Sequence, residues 1–242
     1  MSNAESAFPK IVTAGADAIL LYLGEGIDPE VNDRVMALTN RVGSALGDKL
    51  YDLVPSYNSL MIYYNVLSLS EDELRECVRK LIDELQQDGD ASGASKQSTL
   101  HTIDVYYDPS VGPDLERAAE QTSLSIDDII NMHTEQEYRV YAMGFAPGFA
   151  YLGELPEKLR LPRLDNPRTK IPAGSVAIAE AQTAVYPSES PGGWNIIGRT
   201  AENLYDPRAD SISPMKVGDR VQFKAVSKDE FEKAGGSLES LS

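Results

Sequence analysis

The sequence predicts an α+β protein of two domains, a ferredoxin-like sandwich followed by a β-barrel or sandwich. Three observations carry this reading. Strand and helix signals over the first part of the chain follow the order β-α-β-β-α-β, a split βαβ arrangement. A polar Gly/Ser-rich stretch, residues 86–98 (QQDGDASGASKQS), has no apolar face and reads as a flexible linker. Beyond it the texture changes: residues 141–200 hold 7 of the 14 prolines and 7 of the 18 glycines, with short apolar runs between them.

In the first domain, placed at 8–107, Ala18 to Leu23 is a buried strand ended by Gly24-Glu25-Gly26. Asp28-Pro29-Glu30 supplies an N-cap, a proline at the first helical position and an acid at the positive end of the helix dipole. Val31, Val35, Leu38, Val42 and Leu46 then recur at helical spacing. Tyr51 to Val54 and Ser59 to Val66 read as two strands, and Ser70 with Glu73 opens a capped helix whose stripe is Leu74, Cys77, Val78, Leu81, Ile82 and Leu85. His101 to Tyr107 alternates as the domain's last strand, reached across the linker.

The second domain is placed at 108–226. DLERAAEQ and SIDDIINMH, within 114–133, form two short helices spaced like a helix-turn-helix, but five acids against Arg117 alone would repel phosphates. Strands are expected at Tyr138 to Met143, Ser175 to Ala179, Thr183 to Tyr186, Trp194 to Gly198 and Asp219 to Ala225. Ser227 to Lys233 adds a capped helical turn, and 234–242 reads as a disordered tail.

Over its 242 residues the chain carries a formal charge of −16, which argues against nucleic acid or an anionic membrane surface as partner. No apolar run approaches the roughly 20 residues that span a bilayer. A single cysteine, Cys77, leaves no internal disulfide and no zinc site, so a cytoplasmic location is the default. The acidity is uneven. Residues 141–200 have six cations against five anions, a balance of +1, and the remainder therefore carries −17. A nearly neutral island in an acidic protein suits an anionic small ligand, or is a surface accident.

No P-loop, dinucleotide fingerprint, HExxH or GxSxG pattern occurs. Of the two histidines, His101 reads as an ordinary strand residue, and His133 either complements a helix C-terminus or carries a proton. GFAPGFAYLGELP (144–156) is either a turned loop whose aromatics cap the core or an aromatic wall beside a ligand. Arg163, Arg168 and Lys170 stand on a proline-stiffened connection, suited to carboxylate or phosphate if it is not simply a solvated loop. Arg199 follows the strand WNIIG, and Gly192-Gly193 offer either backbone donors for an anion or an ordinary tight turn.

Four blocks then stand out: GPDLERAA, INMHTEQEYRVYAMGFAPGFAYL, PR…NPRTKIPAGSVAIA and AQTAVYPSESPGGWNIIGRT. Together with VPSYNSLMIYY they resemble the allophanate hydrolase subunit 1 family, over about residues 11–225. That family includes the B subunit of 5-oxoprolinase and a sporulation-kinase inhibitor, and shares its module with urea carboxylase. The resemblance implies a ferredoxin-like N-terminal domain followed by a cyclophilin-like β-barrel. It also implies one component of an ATP-dependent 5-oxoprolinase, in which ATP, with Mg2+, binds at a site shared between components, and partners known as the C and A subunits complete the enzyme. The alternative it leaves is an inhibitor that binds a histidine kinase. The site it points to takes His133 and Arg199 as catalytic residues. Arg163, Arg168, Lys170, Gly174, Gln182, Thr183, Tyr186, Gly192 and Gly193 would bind substrate. The chain departs from the family's pattern at Asn58 (commonly Arg), Ala150 (commonly Pro), and Glu180, Ala181 and Ala184, where Gly, Asn and Gly are usual.

Overall fold

The protein is described from a computed structural model over residues 8–88, 98–209 and 211–238, and divides into two compact units, Met1–Ser98 and Thr99–Ser242. Both units mix helix and sheet, and nearly all the strand pairs are antiparallel.

The first unit comprises β1 (Lys10–Thr13), β2 (Ala18–Tyr22), α1 (Pro29–Leu46), β3 (Leu50–Ser56), β4 (Ser59–Tyr64) and α2 (Glu71–Asp88). Its four strands lie in the order β1-β2-β4-β3, all antiparallel. The helix signals hold. Asp28 accepts from the amides of Glu30 (2.8 Å) and Val31 (3.3 Å), and Ser70 and Glu73 cap each other's backbone at 2.9 and 3.3 Å. Both helices bury their stripes on one face of the sheet, where Val35, Leu38, Leu74 and Val78 meet Ile19, Leu21, Leu60 and Ile62. Cys77 is only half-buried at the edge of this stripe.

The second unit holds β5 (Leu100–Val105), α3 (Leu115–Thr122), α4 (Ile126–Thr134), β6 (Glu137–Met143), β7 (Ala150–Gly153), β8 (Arg168–Ile171), β9 (Ser175–Ala179), β10 (Gln182–Val185), β11 (Ser190–Gly192), β12 (Asn195–Arg199), β13 (Arg220–Ala225) and α5 (Lys228–Lys233). Its main sheet runs β5-β13-β6-β7-β10-β9-β12, with β5 and β13 the parallel pair. Strands β8 and β11 form a separate two-stranded ribbon. Among the described residues no regular ladder closes the sheet, although Tyr106 and Arg199 exchange backbone hydrogen bonds of 2.8 and 2.9 Å as an isolated bridge.

Three expectations are corrected. The strand at His101 to Tyr107 does not complete the first unit. It starts at Leu100 and pairs in parallel with β13, so the boundary falls before it rather than at 107. The edge beside β2 is taken instead by β1, a four-residue strand with no inward alternation to announce it. Residues 86–88 of the expected linker continue α2; residues 89–97 lie outside the described residues. The described part of the expected tail is also held in place: the Gly236 amide donates to the Phe231 carbonyl at 2.9 Å, and the Ser237 carbonyl accepts from Arg199 Nη1 at 3.0 Å.

Candidate functional site

Strand alternation gives the second unit's sheet two chemically distinct faces. Val140, Leu152, Val176, Ile178, Val185 and Ile197 point into the larger core beneath α3 and α4. The intervening residues Ala177, Ala179, Ala184 and Ile196 form the floor of a second cluster on the other face. Small floor residues leave room for rings: Phe149, Tyr186 and Trp194 stand on this floor, with Tyr151 and Ala146 at its edge and Ile171 from the β8–β11 ribbon. The rings meet edge to face, Phe149 lying 4.9 Å from Tyr151, 5.4 Å from Tyr186 and 6.0 Å from Trp194.

The rings of Phe149, Tyr186 and Trp194 are themselves buried, at 2–5% exposure, and the cluster meets solvent along an edge formed by Phe145, Tyr151 and Arg163. Phe145, 60% exposed at a positive φ of 71°, sets its ring 5.2 Å from Phe149. The Arg163 guanidinium carbon lies 5.9 Å from the Trp194 ring centre, and its Nε lies 4.0 Å from a Glu180 carboxylate oxygen. Burial pushes the Tyr186 phenol up to about 12, opposed by a hydrogen bond from the Trp194 backbone and by the charges of Arg163 and Arg168. Burial likewise raises Tyr151, again opposed by Arg163. Cation, phenols and indole thus converge on one face. Its accessible edge suits a small anion, whose carboxylate pairs with the Arg163 guanidinium while its apolar part meets Phe145 and Tyr151.

A second polar centre lies behind it. The Asp114 carboxylate takes both terminal nitrogens of Arg168, at 2.8 and 2.9 Å, and the Ile196 amide at 2.7 Å. Arg117 Nε is 3.6 Å away, and the Arg117 guanidinium also bonds Asn195 Oδ1. Asn195 Nδ2 donates to the carbonyls of Pro162 and Ile178, each at 3.0 Å.

The expected site residues separate into groups. Arg163, Tyr186 and Gly192 belong to the aromatic face; a Cβ on Gly192 would come within 2.2 Å of the Tyr186 hydroxyl. Arg168 lies beside it with its fork engaged by Asp114. Lys170 pairs with Glu189 at 3.0 Å on the exposed ribbon. Gln182 begins β10, opposite Gly153 and Ala179. Thr183 points to the opposite face, where it meets His133. His133 is fully buried, bonded to the Tyr107 hydroxyl at 2.7 Å and stacked on Phe223 at 4.5 Å. A proton carrier exposed to substrate is therefore not what this histidine is. Arg199, 3% exposed, is held by the Ser237 carbonyl. Gly174 spends its amide on the Tyr186 carbonyl at 2.7 Å, so it is no anion donor. Gly192 and Gly193 are not an anion-binding nest either: Gly192 ends a strand and neither has a positive φ.

Sequence reasoning missed Asp114 and Asn195. Asp114 was visible only as one more acid before a helix, although it falls in the GPDLERAA block. Of the altered positions, Glu180 carries the left-handed turn (φ 52°) between β9 and β10, whereas Ala184 is a flat floor residue in a strand. Asn58 Nδ2 donates to the Gly26 carbonyl at 3.2 Å, beside a cavity of about 300 Å³ in the first unit lined by Lys10, Tyr22, Glu25 and Asn58. None of the expected site residues lines it.

Fold and site together define an α+β protein that carries an aromatic cluster with a cation at its edge, built on Gly/Pro loops over an antiparallel sheet. More particularly, residues 9–215 match the carboxyltransferase domain, subdomain C and D, and the chain belongs to that family. It is 32% identical over 232 residues to the B subunit of 5-oxoprolinase from Bacillus subtilis, covering 92% of this chain and 95% of that one. It is 36% identical over 211 residues to the B subunit of 5-oxoprolinase from Escherichia coli, covering 86% and 92%. Among solved structures it resembles TTHA0988, 36% identical with a TM-score of 0.75, over 87% of this chain and 40% of that longer one.

Proposed function

We propose that this chain is the B subunit of an ATP-dependent 5-oxoprolinase, opening 5-oxoproline to L-glutamate with ATP and water only in company with partner subunits. The observation that carries the reading is its kinship, nearly end to end, with two proteins of that name. The exposed edge of the aromatic cluster suits the substrate: 5-oxoproline is a small lactam bearing one carboxylate, for which Arg163 is the partner, with Phe145 and Tyr151 beside it. Hydrolysis of an unstrained lactam needs activation. ATP would supply it by transferring its γ-phosphoryl group to the amide oxygen with release of ADP; water then adds to that carbon, phosphate leaves, and the C–N bond breaks to free the amine and carboxylate of glutamate.

The residues of this chain serve binding better than that chemistry. Among the described residues no group of three or more His, Cys, Asp or Glu side chains is placed to hold a metal ion. We assign the site of ATP, with its Mg2+, to a partner or to a surface shared with one. The partners are the C and A subunits of the enzyme; kinship with named enzyme components favours this over the kinase-inhibitor reading. As to fold, we read the first unit as a ferredoxin-like sandwich with β1 at its edge, and the second as a cyclophilin-like barrel seamed by the Tyr106–Arg199 bridge. Co-purification with the A and C subunits should give 5-oxoproline-dependent ATP hydrolysis and glutamate release. A full set that turns over neither, under conditions where a known 5-oxoprolinase works, overturns the proposal.

A further inference from the structure

We propose that Asp114 is a positioning residue for the aromatic face, holding the β8–β11 ribbon and the Arg163 loop in place without touching substrate. The carboxylate is buried, 4% exposed, where a charge is stable only if paired and hydrogen-bonded. It has both: the two-pronged pair with Arg168 and the amide of Ile196, whose carbonyl in turn accepts from the Asp114 amide at 3.0 Å. Each partner leads to the candidate site. Arg168 opens β8 and stands opposite Gly192 of β11, and Gly192 lies against the Tyr186 hydroxyl. Ile196 lies on the aromatic cluster's floor.

Arg117 extends the hold. It lies beside Asp114 and bonds Asn195, whose amide grips the Pro162 carbonyl one residue before Arg163. The Leu164 amide closes the circuit by donating to the Gly193 carbonyl at 2.7 Å, just after the ribbon. One carboxylate thus fixes both the ribbon beside the rings and the loop that carries Arg163. The guanidinium of Arg168, although on the expected loop, is engaged by Asp114 as the clamp's other jaw rather than turned toward a ligand.

The inference rests on the aromatic face being the binding site, and its test separates the two. Trp194 is the only tryptophan of the chain, so its fluorescence reports this face without turnover. Asp114→Asn keeps the shape and Arg168→Lys the charge, but each loses the two-pronged ion pair. Expected in both are faster amide exchange at 168–171 and 190–192 and stronger acrylamide quenching of Trp194. In the assembled enzyme, KM for 5-oxoproline should rise about tenfold, corresponding to roughly 1.4 kcal/mol, with kcat within about threefold. Asp114→Glu, which retains a carboxylate, should recover most of the loss. Unchanged exchange and quenching in a folded Arg168→Lys protein overturn the clamp whatever the substrate is. Altered exchange with unchanged KM also overturns it, leaving a merely structural pair. An assembly that never turns over 5-oxoproline overturns the functional reading while exchange and quenching still judge the clamp.

Discussion

His133 donates its Nε2 proton to Thr183. The two atoms lie 2.9 Å apart, and the single hydroxyl hydrogen of Thr183 is already committed to the Ala177 carbonyl at 3.0 Å, so the hydroxyl can only accept. Nδ1 must then accept from the Tyr107 hydroxyl. This fixes one neutral tautomer inside the core and ties α4 to β10 and β9. Thr183→Val removes the acceptor and leaves the Nε2 hydrogen buried without a partner. We expect a loss of about 1–3 kcal/mol in urea unfolding, and a variant as stable as the parent would refute the assignment.

The same burial predicts a pH dependence. Desolvation lowers His133 from 6.5 to about 3. The unfolded chain therefore takes up a proton below pH 6.5 that the native imidazole refuses until about 3, so stability is full above 6.5 and falls as the pH drops. Between pH 7 and 5 the loss is about 2 kcal/mol from this one group. Stability measured against pH for the parent and for His133→Gln should differ in slope over that interval, the variant being flatter. Parallel curves would show that the histidine titrates normally.

Arg163→Ala should separate binding from folding. Its ion pair with Glu180 is long and exposed, and such pairs contribute little to stability. We expect an unchanged melting temperature and a KM for 5-oxoproline raised about tenfold or more. Arg199→Ala should do the reverse. With its guanidinium buried against the Ser237 carbonyl, truncation should cost about 2 kcal/mol or more in stability, and activity per folded molecule should survive.

Neighbouring glycines should respond differently to one methyl group. A Cβ at Gly192 would sit 2.2 Å from the Tyr186 hydroxyl and 2.9 Å from Ile171, whereas at Gly193 the nearest atom is an ordinary 3.5 Å away. Gly192→Ala should shift Trp194 emission and lower the melting temperature; Gly193→Ala should change neither. Equal effects would mean that the ribbon does not press on the ring.

Where the chain spells out a local device, the fold was legible. The α1 and α2 starts rest on Asp28 and on Ser70 with Glu73, short-range partners whose chemistry is written in nearby residues. The β5 strand shows the limit. Its alternation announces a strand with one buried face, yet nothing in a period of two says which strand will lie beside it, and its partner begins 120 residues later. Strands β8 and β11 escaped notice because RTKI and SPG have few apolar residues and face the ring cluster only through Ile171 and Gly192. At the site, cations were recognisable by type, but whether a guanidinium is spent or available depends on its partner. Arg168 and Arg163 look alike in sequence; a buried aspartate 54 residues away distinguishes them.

The parallel pairing of β5 with β13 dictates where this molecule can be cut. Leu100 to Val105 and Arg220 to Ala225 are neighbours along their whole length, so the first and last strands of the second unit lie side by side. A fragment beginning at 108 would strip β13 of a full ladder and leave Phe223 and Val221 against a bared edge, an invitation to self-association. One beginning at 98 keeps that seam intact, and is the fragment on which ring, clamp and ligand are best studied apart from the first unit.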